Sequence, residues 1–187
     1  MNTYLLEIGL EEMPAQMILP AVEQLKSLVF KTCENNRLSF DELNTFSTPR
    51  RLAVQIKGLP DKQEDRSVEL KGPPAAIAKD KDNKWTKAAL GFASKNGFDP
   101  ADLQIRQYEG KDYLFVQRME LGQPVPELLQ EQLEQWISQL NFPKNMRWAS
   151  YQMRFIRPIR WIVSLWNNTV VPLKLEMTEA GNETRGH

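Results

Sequence analysis

Between Asn141 and Val170 the chain carries Lys144, Arg147, Arg154, Arg157 and Arg160 without one Asp or Glu, although its formal net charge is zero. The chemistry such a run suits is the binding of a polyanion. Planar guanidinium forks grip phosphate oxygens bidentately, and Trp148, Phe155 and Trp161, set among them, carry the ring types on which an unpaired base stacks. Composition equally allows a packed basic strand-and-turn segment, because arginine stems lie well against aromatic rings. A second pair of guanidiniums, Arg50 and Arg51, follows Thr48-Pro49 at the start of an alternating stretch, where neighbouring side chains point to opposite faces. Arg51 lies opposite Leu52, Val54 and Ile56 and is expected at the surface. Arg50 shares their parity, so it needs a buried partner or lies outside the strand. An ion pair from one of these arginines to an N-terminal glutamate, and a role in binding RNA or a partner, are both open readings.

Catalytic chemistry has little to work with. The patterns that cradle phosphates, bind catalytic zinc or activate a serine (P-loop, G-x-G-x-x-G, H-E-x-x-H, G-x-S-x-G) do not occur. Histidine is the usual general base and the commonest metal ligand, yet the sequence has only His187 and a single cysteine, Cys33, so no metal site is expected. Glu7, Glu11 and Glu12 could form an acid and base pair, since a crowded carboxylate has a raised pKa. Their place before a helix favours service to the helix dipole instead.

The elements that would position these groups follow from periodicity. Tyr4, Leu6 and Ile8 alternate as a strand, and a helix starts near Pro14 with Ile18, Val22, Leu25 and Val29 on one face up to about Lys31. Leu52, Val54 and Ile56 mark a second strand. Pro60 to Lys84 is charged and contains Gly72-Pro73-Pro74, so it is expected to be an irregular surface excursion with one short strand around Val68-Glu69-Leu70. Trp85 to Asn96 reads as a short helix closed by Gly97, with Trp85, Ala89, Phe92 and Ala93 buried. Leu103 to Ile105 and Tyr113 to Val116 flank Glu109-Gly110-Lys111-Asp112 as a hairpin. Pro126 to Leu140 is an amphipathic helix with Leu129, Leu133, Trp136, Ile137 and Leu140 inside and Glu127, Glu131 and Glu134 on a solvated face. Asn167-Asn168 makes a tight turn between Trp161–Trp166 and Thr169–Leu175.

The fold class is therefore α+β, a mostly antiparallel sheet with about three helices packed on it. Residues 1–187 are read as one compact unit with the excursion near 60–84, and a division into two subdomains around it stays open. With 24 basic and 24 acidic residues, 41% hydrophobic residues and no long apolar run, no membrane is expected. The N-terminus holds Glu7, Glu11 and Glu12 and no basic residue, unlike a targeting segment, so a cytoplasmic location is expected, and a lone cysteine suits a reducing compartment.

Read in order, LLEIGLEEMPA (Leu5 to Ala15), FSTPRRLA (Phe46 to Ala53), KGPP (Lys71 to Pro74), ALGFASKNG (Ala89 to Gly97), PKNMRW (Pro143 to Trp148), FIRPIRWIVSLW (Phe155 to Trp166) and TRGH (Thr184 to His187) resemble the beta subunit of bacterial glycyl-tRNA synthetase. The resemblance covers nearly the whole chain. Leu10 stands where threonine is usual in that family, and Ala149 where glycine is usual. The family continues past TRGH into arginine and phenylalanine, which implies an N-terminal fragment of a longer subunit. The resemblance also implies an α₂β₂ enzyme that joins glycine to its tRNA with ATP and magnesium. The catalytic core would lie on the alpha subunit, and tRNA binding on the beta subunit. An HD-type domain is implied further along, but none of its metal ligands fall in these residues, so no metal is carried over.

On that basis Lys144, Arg147, Arg154, Arg157 and Arg160, with Arg50, Arg51 and Arg185, are candidates to face the tRNA backbone, and Trp148, Phe155 and Trp161 to stack or to form an interface. The alternative is an assembly scaffold that docks the alpha subunit, since interfaces also favour arginine and tryptophan. Salt separates the two: phosphate contacts weaken steeply as salt rises, and an aromatic interface does not. A third reading, an independent small enzyme, lacks any catalytic constellation.

Overall fold

The computed structural model describes residues 1–80, 82–147, 152–176 and 178–186. In chain order the elements are β1 (Asn2–Leu10), α1 (Ala15–Asn35), β2 (Glu42–Thr48), β3 (Arg51–Leu59), β4 (Arg66–Pro74), α2 (Ala75–Ala78), α3 (Lys87–Asn96), β5 (Leu103–Tyr108) and β6 (Lys111–Glu120). They continue with α4 (Val125–Ser138), β7 (Met146–Arg147), β8 (Arg154–Phe155), β9 (Ile159–Trp166), β10 (Thr169–Val170) and β11 (Ala180–Gly181). Contacts divide the chain into two compact units, Met1–Gln63 with Gln123–His187, and Glu64–Gly122.

The first unit is built on a six-stranded sheet in the order β10-β9-β1-β3-β2, with β11 added in parallel to β9. β1 lies between β3 and β9 and pairs antiparallel with both, so its side chains see neighbours on two sides. Its alternation works as the sequence predicts: Tyr4, Leu6, Ile8 and Leu10 are fully buried in the core that α1 and α4 complete. α1 contributes Val22, Leu25, Val29 and Cys33, and α4 contributes Leu129, Leu133, Trp136 and Ile137. The largest rings meet edge to face, with Tyr4 and Trp136 centroids 6.2 Å apart. Their polar atoms are satisfied: Trp136 Nε1 donates to Thr32 Oγ1 at 2.8 Å, and the Tyr4 hydroxyl shares a 2.9 Å bond with Ser164 Oγ. Burial pushes the Cys33 thiol up to about 11.

The second unit is a three-stranded antiparallel sheet, β4-β6-β5. Leu114 and Val116 of β6 pack one face against Ala78 of α2 and Ala89 and Ala93 of α3. Gly97, with φ of 73°, ends α3 as its sequence predicts, and Phe98 N–H closes the cap on the Ala93 carbonyl. The β5–β6 connection is tighter than the expected four residues. Glu109 and Gly110 both take positive φ, which is the two-residue turn that matches strand twist, and Lys111 and Asp112 already belong to β6.

Where structure and expectation differ, the cause is local. The stretch expected to be irregular contains β4, nine residues long, because cross-strand partners on β6 supply the order that its charged sequence does not advertise. β2 has no apolar alternation, being an edge strand with mostly half-exposed residues. The strand expected to return over Thr169–Leu175 ends at Val170, shortly before Pro172, which lacks a backbone donor. α1 runs on to Asn35, four residues past Lys31. Among the described residues no helix is long and apolar enough to cross a membrane.

Leu25→Ala, at a fully buried α1 position, is expected to lower unfolding free energy by about 2–5 kcal/mol in urea titrations. Cys33 should resist a thiol reagent near neutral pH and react at once in denaturant; fast labelling of the native chain would contradict its burial.

Candidate nucleic-acid interface

The face of the β1–β3–β9 sheet opposite the helices holds two of the candidate arginines, Arg51 and Arg185. Its centre is Gly9, paired with Arg51 on β3 and with Trp161 on β9. Because Gly9 has no side chain, the Trp161 indole lies directly over it: a Cβ there would sit 2.0 Å from two ring atoms. The ring so placed donates from Nε1 to Glu7 Oε1 at 2.7 Å. Thr184 Oγ1 bonds the same oxygen at 2.5 Å, and Arg51 Nε lies 3.2 Å from it. Arg51 Nη2 reaches on to the Arg185 carbonyl at 2.5 Å. The guanidiniums of Arg51 and Arg185 both lie 6.0 Å from the Trp161 ring centre, within cation–π range. Glu7 is therefore a nearly buried carboxylate held by hydrogen bonds and an arginine, the arrangement that makes burying its charge tolerable.

Two further carboxyl-terminal arginines fold back to the turn after β1. Arg157 Nε donates to the Glu12 carbonyl at 2.9 Å. Glu11 stands between Arg160 Nε, at 3.3 Å, and Arg50 Nη2, at 3.9 Å. Backbone bonds stitch the same turn: Leu10 N–H to the Arg50 carbonyl, Glu11 N–H to Pro158 and Met13 N–H to Pro49. The glutamates thus serve arginines and an indole. They do not cap α1, whose first turn holds no acid and no side-chain cap. Of the two readings open for Arg50 and Arg51, the pairing to N-terminal glutamates is what the structure shows; Arg50 lies outside β3, and Arg51 is half-exposed rather than free at the surface.

The remaining basic residues behave differently. Arg147 on β7 and Arg154 on β8 are directly opposed across a two-stranded ribbon, next to the Met146–Phe155 pair. Both are exposed, as is Lys144, and none of the three has an ion-pair partner among the described residues. Like charges facing each other across strands cost stability, so this pair is held by something else. Phe155, buried against Phe142 with ring centroids 5.1 Å apart, anchors the base of the ribbon. Glu176 accepts from the backbone N–H groups of Gln152 and Met153 beside Arg154. Phe155 and Trp161 accordingly pack inside the fold and present no free ring face to a base. Trp148 lies outside the described residues, as do Ala149 and His187.

Four of the sequence blocks, around Glu7, Arg51, Trp161 and Thr184, meet on this one face. The family model of the glycyl-tRNA synthetase beta subunit matches residues 4–187. The chain belongs to that family. Over 186 residues it is 47% identical to the glycine–tRNA ligase beta subunit of Lactiplantibacillus plantarum, and over 191 residues 49% identical to that of Picosynechococcus sp.. Both alignments cover the whole chain and 27% of the relative, so the chain spans about a quarter of the length of the curated relatives it matches. In this beta-subunit family member, no group of His, Cys, Asp and Glu among the described residues could hold a metal ion. Gly9, central to the face, is not marked by the sequence, and Glu7 is marked there only as an acid–base or helix-dipole group and as one possible partner of Arg50 or Arg51. Glu7 and Trp161 are 154 residues apart, and only the register of β1 with β9 brings them together.

Gly9→Ala should be strongly destabilising, by at least the ~1–3 kcal/mol of an overpacked core site, because the displaced ring is also the donor to Glu7. Glu7→Gln should cost about 1–3 kcal/mol, since the buried donors lose a charged acceptor. Urea titrations followed by tryptophan fluorescence read both, and an unchanged midpoint for Gly9→Ala would contradict the stacked geometry.

Proposed function

We propose that this chain is the non-catalytic, tRNA-positioning part of a glycine–tRNA ligase beta subunit, working with the alpha subunit in an α₂β₂ enzyme in the cytoplasm. ATP and magnesium act on the alpha subunit in this reading, which agrees with a sequence that holds no phosphate-cradling loop. The relatives' names supply the ligase; the observation that carries the tRNA role is the Arg147–Arg154 pair. Two exposed guanidiniums set opposite each other, without an ion-pair partner among the described residues and with the Glu176 carboxylate engaged by the Gln152 and Met153 N–H groups, suit one backbone phosphate that accepts from both. Contacts of this kind fix the position of an RNA and carry no sequence information. Arg50, Arg51, Arg157, Arg160 and Arg185 serve first to hold the sheet face and the turn after β1 together.

The assembly reading has its own support on another surface. Leu19, Phe30 and Phe46 are 67%, 44% and 55% exposed, apolar area that a docked subunit would remove from water. We assign the alpha subunit to such apolar surface and the tRNA to the basic ribbon, so the two roles do not compete.

The test is a titration of the chain with tRNA carrying the glycine anticodon, at several salt concentrations. Arg147→Ala/Arg154→Ala should bind about ten- to thirtyfold more weakly and reduce the slope of log affinity against log salt by roughly 1 to 2. It should still capture the alpha subunit. Unchanged tRNA affinity in a folded double variant would remove the ribbon from RNA binding.

A further inference from the structure

The second unit carries an aromatic and basic face that nothing above uses. β4, β6 and β5 are covered on one side by α2 and α3, and the register sets Lys71, Phe115 and Tyr113 with Tyr108 on the other side. Tyr108 and Tyr113 meet edge to face at 6.3 Å, and Tyr108 lies 6.4 Å from Phe115. The ammonium of Lys71 sits over both tyrosines, 3.9 Å and 3.8 Å from their ring centres. That lysine is exposed and has no carboxylate partner among the described residues, unlike Arg106 on the same face, which Glu69 matches at 2.7 Å. Ring faces hold an ammonium in place without neutralising it, so its charge stays available. Tyr108 remains 45% exposed, leaving ring surface uncovered.

We infer that this face of the β4–β6–β5 sheet binds an unpaired stretch of RNA, with a base stacked on Tyr108 and the adjoining phosphate on Lys71. The charge decides the occupant: an unmatched cation fixed beside open aromatic surface complements a phosphodiester that carries bases, and sheet faces of this composition bind single strands through stacking and backbone charge. A helical partner would want apolar surface without the ammonium. The inference rests on the RNA reading proposed above, but on different residues in a different unit. It adds an unpaired segment of the tRNA to the backbone contact assigned to Arg147 and Arg154.

The experiment uses the whole chain and a fluorescent single-stranded oligouridylate, with the same strand annealed to its complement as control. Tyr108→Ala and Lys71→Gln should each weaken single-strand binding about tenfold, while Tyr108→Phe, which keeps the ring, binds as the parent does. Both changes are at exposed positions, and circular dichroism checks that the unit stays folded. Arg147→Ala/Arg154→Ala should lose tRNA affinity yet keep the stacking component, seen as a remaining difference between Tyr108→Ala and Tyr108→Phe. That difference separates failure of this site from failure of the ribbon. Equal affinity of Tyr108→Ala and the parent for the oligouridylate, no measurable binding by the parent, or loss of alpha-subunit capture with RNA binding intact would each overturn the inference.

Discussion

The carboxylate of Glu7 is the interaction around which the first unit is organised. It sits on the central strand, nearly out of solvent, and collects Trp161 from β9, Thr184 from the segment after β11 and Arg51 from β3 on one oxygen. A buried charge is tolerable only when paired and hydrogen-bonded, so each of those partners is constrained by the need to satisfy it. Gly9 makes the arrangement possible by leaving room for the indole to cross the strand. The helices on the opposite face then need only bury an ordinary apolar stripe, which they do through Leu25, Leu133 and Trp136.

From this constraint follows a division of labour among arginines that look alike in sequence. Arg51 and Arg157 are directed inward to a carboxylate and a carbonyl, and Arg50 and Arg160 share Glu11. The Glu11 pairs are 40–53% exposed, so they orient side chains more than they stabilise the fold. Arg147 and Arg154 lie beyond the reach of these glutamates, on a ribbon fixed from below by Phe155 and from the side by Glu176. In the proposed function, two guanidiniums without an ion-pair partner among the described residues, on a strand pair anchored by Phe155, lose less freedom when they grip a phosphate.

Much of the fold was legible because burial and periodicity coincide. β1 and α4 show their apolar faces directly in sequence, and Gly97 and Asn167 mark their turns through the positive φ they adopt. β2 and most of β4 were not legible, since each is stabilised by cross-strand partners while its own residues are polar and half exposed. The candidate site was half legible. Residue type identified the arginines and aromatic rings, but their fates depend on contacts across more than a hundred residues, such as Glu7 with Thr184. The same holds for Lys71, whose two tyrosines become neighbours only through the register of β4, β6 and β5.

The most direct measurement is arginine side-chain nuclear magnetic resonance, following the Nε–H signals of the whole chain as tRNA is added. Slow-exchanging Nε–H signals from Arg157 and Arg51 that stay in place, together with shifts at Arg147 and Arg154, are the expected result. If Arg51 and Arg157 exchange freely and move with tRNA while the ribbon arginines do not, the division of roles drawn from the Glu7 cluster is wrong.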